Sequence, residues 1–281
     1  MFIELVKETT MFIELVKSFI LGIVQGITEW LPVSSTGHML LVDEFLKLDF
    51  PTDFTDMFFV VIQFGSILAV CVLYFDKLNP FSPHKDKQQK RYTWQLWEKV
   101  IIACIPAGVV GILFDDLIHD LLYGPIVIAI ALIVYGILFI VLENSNPHPT
   151  TTSLETLSFR KAFFIGVFQM LSLIPGTSRS GSTILGAVFL GCERSVAAEF
   201  SFFLAIPVML GASALKMLKY GLAYTGAQVA VMLVGTITAF VVSLIVIRFL
   251  MSYIRKHDFK VFGWYRIALG ILVLLYFGIL A

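Results

Sequence analysis

Six runs without formal charge, at residues 57–75, 100–114, 121–142, 200–215, 220–247 and 267–281, limit what this chain can fold into. A helix rises about 1.5 Å per residue and bilayer hydrocarbon is about 30 Å thick, so most of these runs are of membrane-crossing length. The two short ones, 100–114 and 267–281, can reach the interface if flanking Lys or Arg side chains snorkel. A backbone in lipid must satisfy its own hydrogen bonds, and uninterrupted runs of this length read as helices. A composition that is 58% hydrophobic and only 14% charged points the same way, because a soluble domain cannot hide so much apolar surface. The expectation is an all-α polytopic membrane protein. Zero net charge argues against a nucleic-acid partner. Cys71, Cys104 and Cys192 stand singly in apolar surroundings and read as packing residues.

Most of the Lys and Arg fall in the connecting segments 76–99, 143–161 and 248–266, Arg266 closing the last of these. The positive-inside tendency makes those segments cytoplasmic and turns the 115–124 connection and the C-terminus outward. "MFIELVK" occurs at residues 1–7 and again at 11–17, so residues 1–10 read as a duplicated start and stand outside the fold argument.

Two stretches are too polar and too broken by Pro and Gly to be plain spans. They are "GIVQGITEWLPVSSTGH" from Gly22 and "GVFQMLSLIPGTSRSGST" from Gly166. Aligned, they match: Gly22 with Gly166, Gln25 with Gln169, then a proline and a cluster of small hydroxyl residues. Asp56 and Glu199 lead similar aromatic runs at nearly the same offset, about 143 or 144 residues. Three spans separate the copies, an odd number, so the second must enter the membrane upside down. This predicts an inverted-topology repeat with about six spanning helices and two re-entrant helical hairpins meeting near the midplane, an arrangement that tolerates broken helices where they line a site. The first repeat covers 11–142, a cytoplasmic connection 143–160, and the second repeat 161–281. Glu199 reads as a helix cap or, alternatively, as a proton carrier, and "CERSVAAE" as a helix start.

Arg179 sits among Gly176, Ser178, Ser180, Gly181, Ser182 and Thr183. An arginine at membrane depth is costly unless paired, and glycines, hydroxyls and a helix start around a guanidinium make an anion site, phosphate before others. The first stretch supplies reactive groups. Gln25 and Glu29 share a helix face; Ser34 and Ser35 follow Pro32; and His38 lies three residues past Ser35, where a helical turn would bring imidazole and hydroxyl together. Among the five histidines, His84, His119, His148 and His257 lie in polar connections and read as solvated. A carboxylate facing phosphates invites a divalent cation.

These residues resemble the two signature stretches of the undecaprenyl-diphosphatases, the bacitracin-resistance membrane phosphatases of bacteria. Gln25 and Glu29 meet the first motif, with Ser34, Ser35, Gly37 and His38 after them; Pro175, Gly176, Ser178, Arg179, Ser180 and Thr183 meet the second. The likeness runs from Met11 to nearly the end of the chain. Gln25 stands where many relatives carry Glu. The resemblance implies hydrolysis of undecaprenyl diphosphate to the monophosphate carrier, assisted by Mg²⁺ or Ca²⁺, on the outer side of the bacterial cytoplasmic membrane, in support of peptidoglycan synthesis and bacitracin resistance. On this reading Glu29, Ser35, His38 and Arg179 are catalytic, and Ser34, Gly176, Ser178, Ser180 and Thr183 bind substrate. Glu29 and Gln25 hold the metal. Whether Ser35 or a water attacks is open, and a homodimer is compatible with the architecture. The rival reading is a transporter for a lipid phosphate, for which a nucleophile and base would be superfluous.

Overall fold

The computed structural model describes residues 2–145, 148–220 and 224–280. Parts of the expected connection at 143–160 and of the runs expected at 220–247 and 267–281, namely residues 146–147, 221–223 and 281, lie outside the described residues, as do the side chains at 115, 116 and 119 and with them the solvated reading of His119. The chain is helical, with a single isolated bridge between Thr151 and Cys192 among the described residues. In order the helices are α1 (Phe2–Thr28), α2 (Ser35–Leu46), α3 (Thr52–Leu73), α4 (Phe75–Leu78), α5 (Lys87–Leu122), α6 (Pro125–Asn144), α7 (Phe159–Met170), α8 (Arg179–Phe189), α9 (Arg194–Tyr220), α10 (Gly226–Ile254) and α11 (Lys260–Leu275).

Among the described residues, seven helices are long and apolar enough to cross a membrane, one more than expected. The addition is in α1, read from the sequence as one arm of a polar hairpin. Its Thr9–Thr28 portion is continuous and apolar enough to count as a span, because the polar residues that marked the stretch, Glu29 to His38, all follow its end. From Phe2 the helix runs without a break to the end of the second copy of "MFIELVK" and beyond. The protein is a multi-pass helical membrane protein.

Small residues set the packing. α1 lies against α10, where a Cβ on Gly22 would come within 2.6 Å of the Gly235 carbonyl oxygen. α7 lies against α5 in the same fashion, where a Cβ on Gly166 would be 2.2 Å from the Ala103 oxygen. α3 packs between α9 and α10, and α6 pairs with α11 across Gly136 and Gly263. Close backbone approach through small residues is the usual basis of helix association in lipid, where hydrophobic exclusion gives no drive. A core rich in Phe200, Phe202, Phe203 and Trp30 fills the space between the two helix–turn–helix units, α1–α2 and α7–α8.

Two expectations are corrected. Glu199 does not cap a helix: α9 begins at Arg194, as the "CERSVAAE" stretch suggested, and Glu199 lies inside its second turn, paired with Lys77 at 2.5 Å. Arg266 does not belong to a solvated basic connection. It is fully buried within α11, where three backbone carbonyls accept from its Nη1 and Nη2.

Candidate active site

Both helix–turn–helix units turn on a serine in an unusual conformation. Ser34 (φ 71°) and Ser178 (φ 73°) are the two non-glycine residues with positive φ among the described residues. Each is the N-cap of the following helix, and its hydroxyl accepts the N–H three residues on, Gly37 at 3.3 Å and Gly181 at 3.2 Å. Left-handed backbone costs an L-residue roughly 1–2 kcal/mol, a strain that persists where the surroundings hold it and that clusters at functional sites. The capping bond offsets part of it. Directly after these serines stand Ser35 and Arg179, each the first residue of its helix.

Glu29, just past the end of α1, joins the two units. Its Oε1 accepts from Arg179 Nη2 at 3.2 Å, and its Oε2 accepts from Gln25 Nε2 at 3.0 Å and from the Ser35 hydroxyl at 3.4 Å. The pair is buried, with side-chain exposures of 5% for Glu29 and 9% for Arg179, so the carboxylate and guanidinium neutralise each other where neither could be solvated alone. Arg179 also donates from Nη1 to the Ser201 carbonyl oxygen at 2.7 Å, and its aliphatic and guanidinium plane lies 6.0 Å from the Trp30 ring. Its Nε–H, like the indole N–H of buried Trp30, has no partner among the described residues.

The structure therefore brings together Gln25, Glu29, Ser35 and Arg179, of which spacing alone pairs only Gln25 with Glu29. The hydroxyls expected to bind substrate are divided. Ser180 donates to the backbone oxygens of Glu29 and Leu31, and Thr183 to the Arg179 oxygen while meeting Ser201 Oγ at 2.7 Å. Ser180 thus holds the two units in register, and Thr183 ties α8 to α9. Gly176 has φ +94° and its Cα faces the Ile128 backbone so closely that a Cβ would lie 2.5 Å from the Ile128 oxygen. His38 does not meet Ser35. One ring nitrogen, Nδ1, is bonded to the Ser34 backbone oxygen at 2.7 Å, and Nε2 meets the Tyr265 hydroxyl at 2.6 Å with the rings stacked.

Sequence reasoning missed Ser201, Tyr135, Tyr265 and Arg266. Arg266 donates to the oxygens of Pro32 (3.1 Å), Gly176 (2.8 Å) and Thr177 (3.0 Å), touching both turns, and lies 5.3 Å from the Tyr135 ring. Tyr135 in turn accepts from Ser182 at 3.1 Å. A basic residue seven into a helix otherwise apolar up to its last turn was the available signal for Arg266.

The donors around Glu29 are oxygens: its carboxylate, the Ser35 hydroxyl and the Gln25 amide carbonyl, since Gln25 uses its N–H on Glu29. No group of three or more His, Cys, Asp or Glu able to hold a metal occurs among the described residues. Such a set fits a hard cation that keeps most of its ligands from phosphate and water.

Fold and site together define a polytopic membrane protein with a buried carboxylate and arginine and a half-buried serine at the junction of two helix turns, an arrangement suited to a phosphate group. The family model described as bacitracin resistance protein BacA matches residues 18–272, and the chain belongs to that family. It is 62% identical to Undecaprenyl-diphosphatase 1 of Clostridioides difficile (strain 630), over 97% of this chain and all of that protein. It is 60% identical to the Undecaprenyl-diphosphatase of Enterococcus faecalis, over 94% and 97% of the two chains. The Undecaprenyl-diphosphatase of Desulfitobacterium hafniense is 56% identical over 95% of this chain and 97% of its own.

Proposed function

We propose that the protein hydrolyses undecaprenyl diphosphate to undecaprenyl phosphate and inorganic phosphate, recycling the lipid carrier for cell-wall synthesis and conferring bacitracin resistance. The near-full-length identity to enzymes of that name supports it. The observation that carries it at the site is the Ser35–Glu29–Arg179 chain, drawn from residues far apart in sequence into hydrogen-bonding range.

Arg179 grips the terminal phosphoryl group and stabilises the charge that spreads over its oxygens during transfer. The starts of α2 and α8 add their unpaired first N–H groups and positive dipole ends. The Ser35 hydroxyl, or a water in its place, attacks the terminal phosphorus. The new O–P bond forms as the bond to the bridging oxygen breaks, and the lipid monophosphate leaves; where the serine has attacked, a water then displaces its oxygen from phosphorus, freeing inorganic phosphate and the hydroxyl. Glu29, in contact with Ser35, takes the nucleophile's proton; His38, held by Ser34 and Tyr265, orients the turn and serves the leaving side. Glu29 and Gln25 would hold Mg²⁺ or Ca²⁺ carried in with the diphosphate. When bound, that cation neutralises the phosphate oxygens beside the carboxylate.

The two helix–turn–helix units are re-entrant hairpins of an inverted repeat that opens to the outer side of the cytoplasmic membrane. Support comes from the packing, which keeps its pattern when the halves are exchanged: α1 on α10 answers α7 on α5, and α3 on α9 and α6 on α11 answer themselves. The twin positive-φ serine caps support it too.

The test is inorganic phosphate release from undecaprenyl diphosphate by the purified protein, with and without Mg²⁺, beside Arg179→Ala and Glu29→Gln. Metal-dependent release that both substitutions abolish is expected. A folded wild type that binds the lipid and releases no phosphate would sink the reading in favour of transport.

A further inference from the structure

A cleft of about 310 Å³ opens where the charge-free run of α10 ends. Leu73 from the end of α3 and Met251 of α10 give it an apolar floor; Arg248, Ser252 and Arg255 form its rim, with Tyr74 at one side. Arg248, Ser252 and Arg255 are four and seven residues apart, so they stand on one face of the helix and its C-cap. Both arginines are exposed, no carboxylate lines the cleft, and neither guanidinium is in an ion pair among the described residues.

The depth of the cleft is set by its neighbours. Val72, Ile245 and Phe249, beside it in sequence, are 59%, 64% and 57% exposed, apolar surface that only lipid can cover. Asp76 and Lys77 follow immediately after α3, so α3 and α10 run out of apolar sequence at the same level. Paired guanidiniums at such a boundary, above an apolar floor, match the order of groups in a phospholipid: phosphate at the interface, chains below. A larger polar chamber of about 1010 Å³ adjoins it, sharing Tyr74, Met251 and Arg255 with the cleft; its carboxylates include Glu199, held by Lys77. Neither cavity is lined by Glu29, Ser35 or Arg179, so the cleft is separate from the catalytic centre.

We propose that this cleft binds the phosphate headgroup of an anionic phospholipid, the Arg248 and Arg255 guanidiniums forking onto the phosphate oxygens, Ser252 donating between them, and the chains lying on the exposed apolar surface of α3 and α10. The site does not depend on the phosphatase reading.

The test is native mass spectrometry of the full chain in detergent, titrated with phosphatidylglycerol, phosphatidylcholine or soluble glycerol phosphate. Wild type is compared with Arg255→Gln and with the Arg248→Gln/Arg255→Gln pair, each first checked for a single gel-filtration peak. An arginine beside a phosphate-bearing surface is worth about fivefold in affinity, so the pair should lose roughly 25-fold for phosphatidylglycerol and the single variant about fivefold. Wild type should prefer phosphatidylglycerol to phosphatidylcholine and ignore glycerol phosphate. Undiminished phosphatidylglycerol binding by the double variant overturns the site, as does equal binding of the two lipids. Binding of glycerol phosphate as tight as the lipid's would show a free-phosphate site instead and overturn the lipid assignment.

Discussion

Arg266 Nη2 donates to the Gly176 carbonyl oxygen at 2.8 Å, while Nη1 of the same guanidinium reaches the Pro32 oxygen at 3.1 Å. One buried side chain from α11 thereby ties the turn after α1 to the turn before α8, and the proposed catalytic groups Ser35 and Arg179 are carried on the helices that follow those turns.

Replacing Arg266 by Lys keeps the charge and loses the fork. A point-charge ammonium cannot serve three carbonyls on two turns, and each oxygen left without a partner costs about 1–3 kcal/mol. Arg266→Lys should lower the melting temperature in detergent and cut kcat by tenfold or more with little change in KM, because it displaces the reacting groups without touching substrate. A wild-type kcat in a variant of lowered melting temperature would confine Arg266 to stability.

Arg179→Ala should reduce phosphate release by about 100-fold or more, the cost of roughly 3 kcal/mol of transition-state stabilisation. Because Glu29 and Arg179 are mutually paired, a double-mutant cycle with Glu29→Ala should be strongly non-additive. Additive losses in kcat/KM would mean that the two act independently.

Ser35 Oγ lies against Glu29 and not against His38, so Glu29→Gln should slow turnover more than His38→Ala. Steady-state phosphate release across both variants measures this. A labelled phosphoenzyme trapped in wild type and absent from Ser35→Ala would assign the attack to the serine; its absence from both would assign it to water.

Ser34 and Ser178 each combine a capping bond with a left-handed backbone. Alanine loses the cap and keeps the strain, whereas glycine loses only a few tenths of a kcal/mol as a cap and escapes the strain. Ser178→Gly should therefore be more stable than Ser178→Ala by about 1–2 kcal/mol, and the Ser34 pair should show the same order. Thermal or denaturant melting of the four variants checks it, and an alanine variant as stable as its glycine counterpart contradicts the reading.

Gly166→Ala places a methyl 2.2 Å from the Ala103 oxygen, while a methyl on Gly108 of α5 meets nothing within 4 Å. The first substitution forces α7 off α5 and should cost a few kcal/mol; the second should be neutral or slightly stabilising. Comparable melting temperatures for the two would show that the α5–α7 contact is loose.

How much was legible beforehand follows from the range of the forces involved. Membrane character and most spans could be read from the chain because length and charge along a helix are local quantities. The two polar stretches could be matched because equivalent turns need equivalent residue types: proline, a serine cap and a glycine three residues on. α1 was misjudged in length since its polar residues lie beyond its end, and local composition does not mark where a helix stops.

Gln25, Glu29, Ser35 and Arg179 were named from sequence because charges and hydroxyls in an apolar chain are conspicuous. Their mutual distances were not, since the contact from Glu29 to Arg179 crosses the whole first half of the molecule. His38 and Ser35 looked paired by spacing, yet the rotamer of His38 answers to Tyr265, a residue of another helix. Arg266 was counted with the basic connecting segment because its position along the chain says nothing about the carbonyl oxygens that two distant turns present to it.

The sequence by itself determined that this is a helical membrane protein with two related polar turns bearing a carboxylate, an arginine and serine hydroxyls, because hydrophobic length, charge and turn chemistry are written locally. Only the tertiary structure decided that Glu29 clasps Arg179, that Ser180 and Thr183 support the site while Arg179 faces it, and that Arg266 is the tie between the turns. A buried polar group takes whichever partner the packing brings within hydrogen-bond reach, and that choice is made in three dimensions.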